Sequence, residues 1–269
     1  MNRTRILLTT IILLSAGEQA QAEQTGPGVG KDDIGINLNT RFVSKHIWRG
    51  FDQFDDKGAV QPSINLDWFG TGFSTTVWSC WELSSGSENQ EEMDYVAAYS
   101  SSFLQDAPLR TNYSVNWIYY DYPNTYSKHK DAQEIGVSLS WPNLIAIGDR
   151  PLVPSYYVGR LWPSKSGGDN RSAAGWIHIF GLGYDLPVPN FPAEDQEQVI
   201  HLAAEIVYND GMGGGSIDHD WSHAVLSIST DIEIGNLTLR PDLNYQVSMD
   251  DSVNDEDELW CGLSIPYKF

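Results

Sequence analysis

The residues of this chain alternate, and that alternation restricts its fold more than any other feature. Between 237 and 247, Leu237, Leu239, Leu243, Tyr245 and Val247 interleave with Thr238, Arg240, Asp242, Asn244 and Gln246. Successive side chains of a strand leave opposite faces, so a period of two gives one apolar face and one that requires water. Tyr113, Val115, Trp117 and Tyr119 repeat the pattern around Asn112, Ser114 and Asn116, as do Ile135, Val137 and Leu139 around Glu134, Ser138 and Ser140. Twelve such segments can be marked, at roughly 34–43, 59–69, 72–83, 92–104, 110–121, 132–141, 153–162, 174–185, 197–209, 221–232, 236–248 and 257–268. The faces of 153–162 and 174–185 do not separate cleanly. Gly, Pro, Asn and Asp fall between segments, and no helical period is sustained. Twelve is an even number, as single-chain bacterial membrane barrels require.

The connections sort by length. Those at 51–58, 84–92, 123–131, 163–172, 210–220 and 249–258 are long and polar. Those at 70–71, 105–109 and 235–236 are tight, with 142–152 and 187–196 as longer members of the same set. Long loops at one end and short turns at the other are the outer-membrane arrangement. The last segment places Leu259, Cys261, Leu263, Ile265, Tyr267 and Phe269 at alternate positions. That is the form of C-terminal strand by which the barrel-insertion machinery recognises its clients. The chain is therefore expected to be all-β, an antiparallel up-and-down transmembrane β-barrel of about twelve strands. Closure also removes exposed edges. Aromatics near segment ends, among them Trp48, Trp68, Tyr120, Trp176, Trp221 and Trp260, predict two girdles at the membrane interfaces.

The first residues predict export. Arg3 and Arg5 precede an apolar run at 6–14, and Ala20-Gln21-Ala22 offers a small-x-small cleavage site. The run is too short to span a bilayer as a helix, which takes about 20 residues. Residues 1–22 are expected to be a cleaved signal peptide and 23–269 a single barrel domain in the cell outer membrane, in contact with its lipid. With 16 Lys and Arg against 36 Asp and Glu, the formal net charge is -20. Nucleic acid would repel such a chain, which excludes it as a partner. Two cysteines, Cys80 and Cys261, are too few for a disulfide framework.

After the first segment the chain reads Ser44-Lys45-His46-Ile47-Trp48-Arg49-Gly50-Phe51-Asp52, then Asp55-Asp56-Lys57-Gly58-Ala59-Val60-Gln61-Pro62. This resembles the opening of the Gcw_chp-type family of exported bacterial proteins, with its Trp-Arg-Gly segment, acidic pair and apolar-Gln step into the second strand. His46 stands where an aromatic such as Tyr is common in that family. The resemblance implies an outer-membrane barrel and implies no substrate. Physically, Gly50 would permit a bend, Trp48 would sit at the interface, and Arg49 would pair with Asp52, Asp55 or Asp56 to tie the first loop down. The alternative makes Arg49 a charge at a pore mouth.

No catalytic constellation stands out. His219 and His223 lie four apart but straddle a loop and a strand start, and no third zinc ligand is evident. Ser222 and His223 are adjacent and would face opposite sides of a strand; His201 and Ser227 form an unremarkable pair, and no Gly-x-Ser-x-Gly elbow occurs. Asp250, Asp251, Asp255, Glu256, Asp257 and Glu258 crowd one loop without the spacing of the twelve-residue calcium loop. No catalytic role, metal or cofactor is therefore expected. The water-facing set contains Arg41, Asp67, Glu82, Asp94, Glu134, Glu205, Arg240 and Asp242 as pore-lining candidates. A barrel of this size suits a narrow porin-like channel for small solutes, and an acidic lumen suits weak cation preference. Arg41 and Arg240 engaged in ion pairs across the lumen would instead give a non-conducting structural or surface-interaction barrel. A secreted β-sandwich that binds carbohydrate is the third reading.

Overall fold

A computed structural model describes residues 33–165, 174–189, 197–214, 216–234 and 237–268. The expected signal peptide, the turn at 235–236, Phe269 and parts of the connections at 163–172 and 187–196 lie outside the described residues. In chain order the strands are β1 (Ile34–Val43), β2 (Ile47–Trp48), β3 (Phe51–Asp52), β4 (Ala59–Trp68), β5 (Phe73–Glu82) and β6 (Glu92–Phe103). There follow β7 (Thr111–Asp121), β8 (Ala132–Ser140), β9 (Ile145–Ile147), β10 (Arg150–Pro163) and β11 (Gly175–Pro189). The last are β12 (Glu197–Asp210), β13 (His219–Thr230), β14 (Ile232–Ile234), β15 (Leu237–Ser248) and β16 (Glu258–Lys268).

Twelve of these form the wall, each antiparallel to the next, and β16 returns to pair with β1 through Leu38↔Tyr267 and Arg41↔Ser264. The barrel is closed. Strands β9 and β14 fold back onto β10 and β15, and β2 and β3 make a separate hairpin. Every marked segment becomes a wall strand. The main change in length is at β10 and β11: β9 extends the ladder back to Arg150, and β12 holds β11 as far as Pro189.

The outer face is apolar. Leu38, Ile64, Val115, Ile135, Leu226 and Leu243 all point outward and are exposed. An exposed apolar belt around a closed barrel is stable only against hydrocarbon, which rules out the soluble sandwich. Aromatic rings border the belt at both ends: Phe73 against Tyr99 and Phe103 against Tyr113 on the turn side, Trp221 against Tyr208 and Phe180 on the loop side. Tyr120 and Trp260 do not join these girdles. They face inward and are buried.

Candidate functional site: the plugged lumen

The first loop does not cover the barrel mouth; it enters the lumen. The Trp48-Arg49-Gly50-Phe51 segment is a two-residue hairpin, because Trp48 pairs with Phe51 and both central residues have positive φ (51° at Arg49, 94° at Gly50). Two positive φ values define the tight primed turn that joins antiparallel strands. Glycine takes that conformation without strain, whereas Arg49 takes it at a steric cost. At Gly50 a side chain is also excluded by contact: a Cβ would lie 2.6 Å from His223 Nδ1. The Gly50 carbonyl accepts hydrogen bonds from Gln246 Nε2 at 3.1 Å and Asn254 Nδ2 at 3.2 Å.

The hairpin packs in three directions. Trp48 and Phe51 lie against a core of Ile118, Tyr120, Tyr157, Ile177, Ile179 and Val207, joined by Met212 from the 210–218 loop. Ile47 packs with Val225 and Trp260, and Phe54 packs with Val43, Trp78 and Cys80. Ile177 and Ile179 therefore face inward as apolar residues, which is why the faces of that segment cannot be separated in the sequence. They meet the plug and not water.

At the hairpin tip Arg49 is 3% exposed, and its guanidinium donates twice to Glu134 on β8, at 2.7 and 2.8 Å. Glu134 also accepts from Tyr120 at 2.7 Å and from Tyr157. The guanidinium lies over the rings of Trp48 and Tyr157, 5.0 and 5.6 Å from their centroids. Each Glu134 oxygen thus receives one guanidinium and one phenol donor, the condition under which a buried ion pair is tolerated. Two glycines make room for this cluster. A Cβ at Gly136 would lie 2.2 Å from the Tyr157 hydroxyl, and one at Gly159 would lie 2.2 Å from Glu134 Oε1.

The expected partners of Arg49 are thus replaced. Asp52 accepts from the backbone amides of Phe54 and Asp56, and Asp56 pairs with Lys45, which also donates to Glu258 at 2.8 Å. These two partners, Asp56 first, raise the Lys45 pKa above its ordinary value, against the effect of burial. Asp55 has φ 56° and helps turn the loop. Trp48 sits inside the lumen and not at the interface. Oxygens of Asp52, Asp56 and Glu258 lie within 4.8 Å of one another, with the Lys45 ammonium already among them.

The other pore-lining candidates divide by height. Asp94 and Glu205 are buried in the wall behind the plug, and Glu82 pairs with Lys57 at 3.0 Å near the loop end. Arg41, two residues before the loop end of β1, donates to Asp242 at 2.8 Å; toward the turns, Asp67 accepts from the Gly70 amide at 3.0 Å and Arg240 donates to Asp231 at 2.5 Å. Arg41 and Arg240 are therefore paired locally, each with its own aspartate.

The histidine expectations change with the local geometry. A bulge where β12 meets β13, between Val207 and Tyr208, turns both Ser222 and His223 inward, and the hydroxyl lies 2.9 Å from His223 Nδ1. Both are buried. Adjacent residues on a regular strand would point apart; the extra residue of the bulge removes that rule. His219 is exposed beside Asp210 at 2.5 Å and does not converge with His223. His201 pairs with Asp185 at 2.7 Å, and Ser227 sits opposite Ala203. In the acidic loop, Asp257 accepts from Tyr245 and from the Ser248 amide, bonds that hold its carboxyl below the ordinary value. Cys80 is buried and Cys261 exposed, with no disulfide between them.

No protein-family model matches this chain, and no curated protein sequence matches it. Solved structures do. The COG4313 outer membrane channel from Pseudomonas putida F1 aligns at 8% identity with a TM-score of 0.54, covering 94% of this chain and all of that one. The NanC porin aligns at 10% identity and 0.49, and LpxR from Salmonella typhimurium at 8% and 0.49, each covering 87% of this chain. At such identities the likeness is one of fold. The closed wall and its exposed apolar belt, with the fold shared with the COG4313 channel, define an outer-membrane β-barrel. Within that class the present chain carries a lumenal hairpin plug.

Proposed function

We propose that the protein is a narrow, porin-like channel for small solutes whose passage is closed on the loop side by its first loop. The contrast between the two halves of the lumen supports this reading. The loop-side half is filled by the hairpin and its apolar core. The turn-side half carries small polar residues such as Asn112, Ser114, Asn116 and Ser138, which remain partly accessible inside the wall. A barrel that served only as a scaffold would gain stability from filling both halves. Among the buried inward charges, Asp67, Glu92, Asp94, Glu134, Glu205 and Asp242 outnumber Arg41 and Arg49. That balance favours weak cation preference for small ions.

The Trp48-Arg49-Gly50 hairpin is consistent with membership of the Gcw_chp-type family, and the alternating final strand with delivery by the barrel-insertion machinery. We read the barrel as non-enzymatic, because Ser222 and His223 lie sealed beneath the plug, with Ser222 already donating to the Val207 carbonyl at 3.3 Å. The second reading is a permanently closed structural barrel, favoured by the doubly bonded Arg49–Glu134 pair. Planar-bilayer recording in a salt gradient separates the two. The channel reading predicts discrete openings with a reversal potential on the cation side; insertion without any current would leave the closed barrel.

A further inference from the structure

We propose that Arg160 and Trp176, on the lipid-facing side of the wall, hold the phosphate of a membrane lipid in the leaflet on the loop side. This concerns the outer face of the barrel and stands whether or not the lumen conducts. Along β10, Tyr156, Val158, Arg160 and Trp162 point outward, while Tyr157, Gly159 and Leu161 are buried on the inner face. Arg160 is exposed and lies three positions from the loop end of the strand at Pro163. Its register partners on either side are Ile135 of β8 and Trp176 of β11. A guanidinium is thereby set into the apolar belt near its loop-side edge. A charge on the lipid face costs free energy even close to the interface, so this one calls for an anionic partner.

Three other arginines lie on wall strands, and each meets a carboxylate: Arg41 with Asp242, Arg150 with Glu197 and Arg240 with Asp231. Among the described residues Arg160 meets none. Its guanidinium lies over the Trp176 ring instead, 5.4 Å from the centroid. Stacking occupies the face of the guanidinium and leaves its edge of N–H donors, a fork that matches two oxygens of a phosphate. The source of that phosphate follows from charge and position. A chain with a formal net charge of -20 repels a free anion in solution. A lipid phosphate is instead brought to this height by its acyl chains, which pack on outward residues further into the belt, such as Val137, Val158 and Phe180. The arginine stem lies along the same apolar surface while its head reaches the headgroup region.

Native mass spectrometry of the folded barrel in a non-ionic detergent, titrated with phosphatidylglycerol, tests this directly. The parent should retain one lipid, and Arg160→Gln should weaken that retention by about tenfold, the loss expected for a charge-assisted pair of hydrogen bonds. Diacylglycerol with the same acyl chains, which lacks the phosphate, should bind about tenfold more weakly to the parent and equally to both proteins. Arg150→Gln, which removes an arginine already paired with Glu197, should leave retention unchanged. The heat-dependent gel shift of each variant shows that it has folded. Equal retention by Arg160→Gln and the parent overturns the proposal, as does equal binding of the two lipids. Displacement of the lipid by an equal concentration of inorganic phosphate would overturn the assignment to a lipid.

Discussion

Arg49 is the residue on which the plug depends. Its partner Glu134 is 85 positions away and fully buried, so removing the guanidinium leaves a carboxylate with two phenols and no counter-charge. Breaking one side of a buried pair costs roughly 3–5 kcal/mol, whereas replacing both sides by apolar groups is often nearly neutral. Arg49→Ala should therefore destabilise the folded barrel by about that amount in urea titration, and Arg49→Met with Glu134→Leu should recover most of it. Equal losses in the single and double variants would show that the pair is not coupled. Lys130 makes a second residue-scale prediction. Its ammonium lies 4.0 Å over the Tyr122 ring and donates to the Asn89 carbonyl and Gln90, and burial pushes its pKa down to about 8 despite an opposing pull from Glu92. Because the folded value lies below the ordinary 10.5, the unfolded chain binds more protons above pH 8. This group's contribution to stability should therefore rise between about pH 8 and 10.5. The increase in urea midpoint between pH 7.5 and 9.5 should shrink in Lys130→Met (both pH values chosen to bracket that folded pKa).

At the scale of elements, the wall and the plug are held by different means. Most wall strands follow from alternation, with β10 and β11 the ones whose faces do not separate, and each of the twelve segments marked in the sequence became one. The plug has no such signature. The 44–58 segment carries Trp, Arg, Gly and Asp in a pattern equally suited to a solvated loop, and only the closed wall supplies Glu134, Tyr120 and Tyr157 around Arg49. Its apolar bed was hidden for a related reason: Ile177 and Ile179 face inward against the plug, contrary to the rule that inward residues are polar. The bulge that turns Ser222 and His223 to one side is likewise unmarked by any Gly or Pro beside them. Since no wall ladder passes through β2 or β3, replacing residues 46–53 with a short Gly-Ser linker should leave a folded barrel that still shifts mobility on heating. Gly159→Val should destabilise the barrel relative to the parent, because its side chain would displace Glu134 from Arg49; loss of the shift at a lower temperature than in the parent is the expected result.

For the whole molecule, the closed ring, apolar belt and two aromatic borders fix where the protein resides, and the contents of the lumen decide what it does there. The compartment and strand number were legible because they depend on local period and loop sorting. The state of the lumen was not, because it depends on contacts between residues far apart in the chain, such as Arg49 with Glu134 and Arg41 with Asp242. The most direct test of a channel closed by its own first loop is single-channel conductance of the parent and of the variant lacking residues 46–53, in the same bilayer and salt. The plug account predicts a step several-fold larger, or openings where the parent shows few. Equal steps in the two proteins would contradict it, since the hairpin would then not obstruct the path.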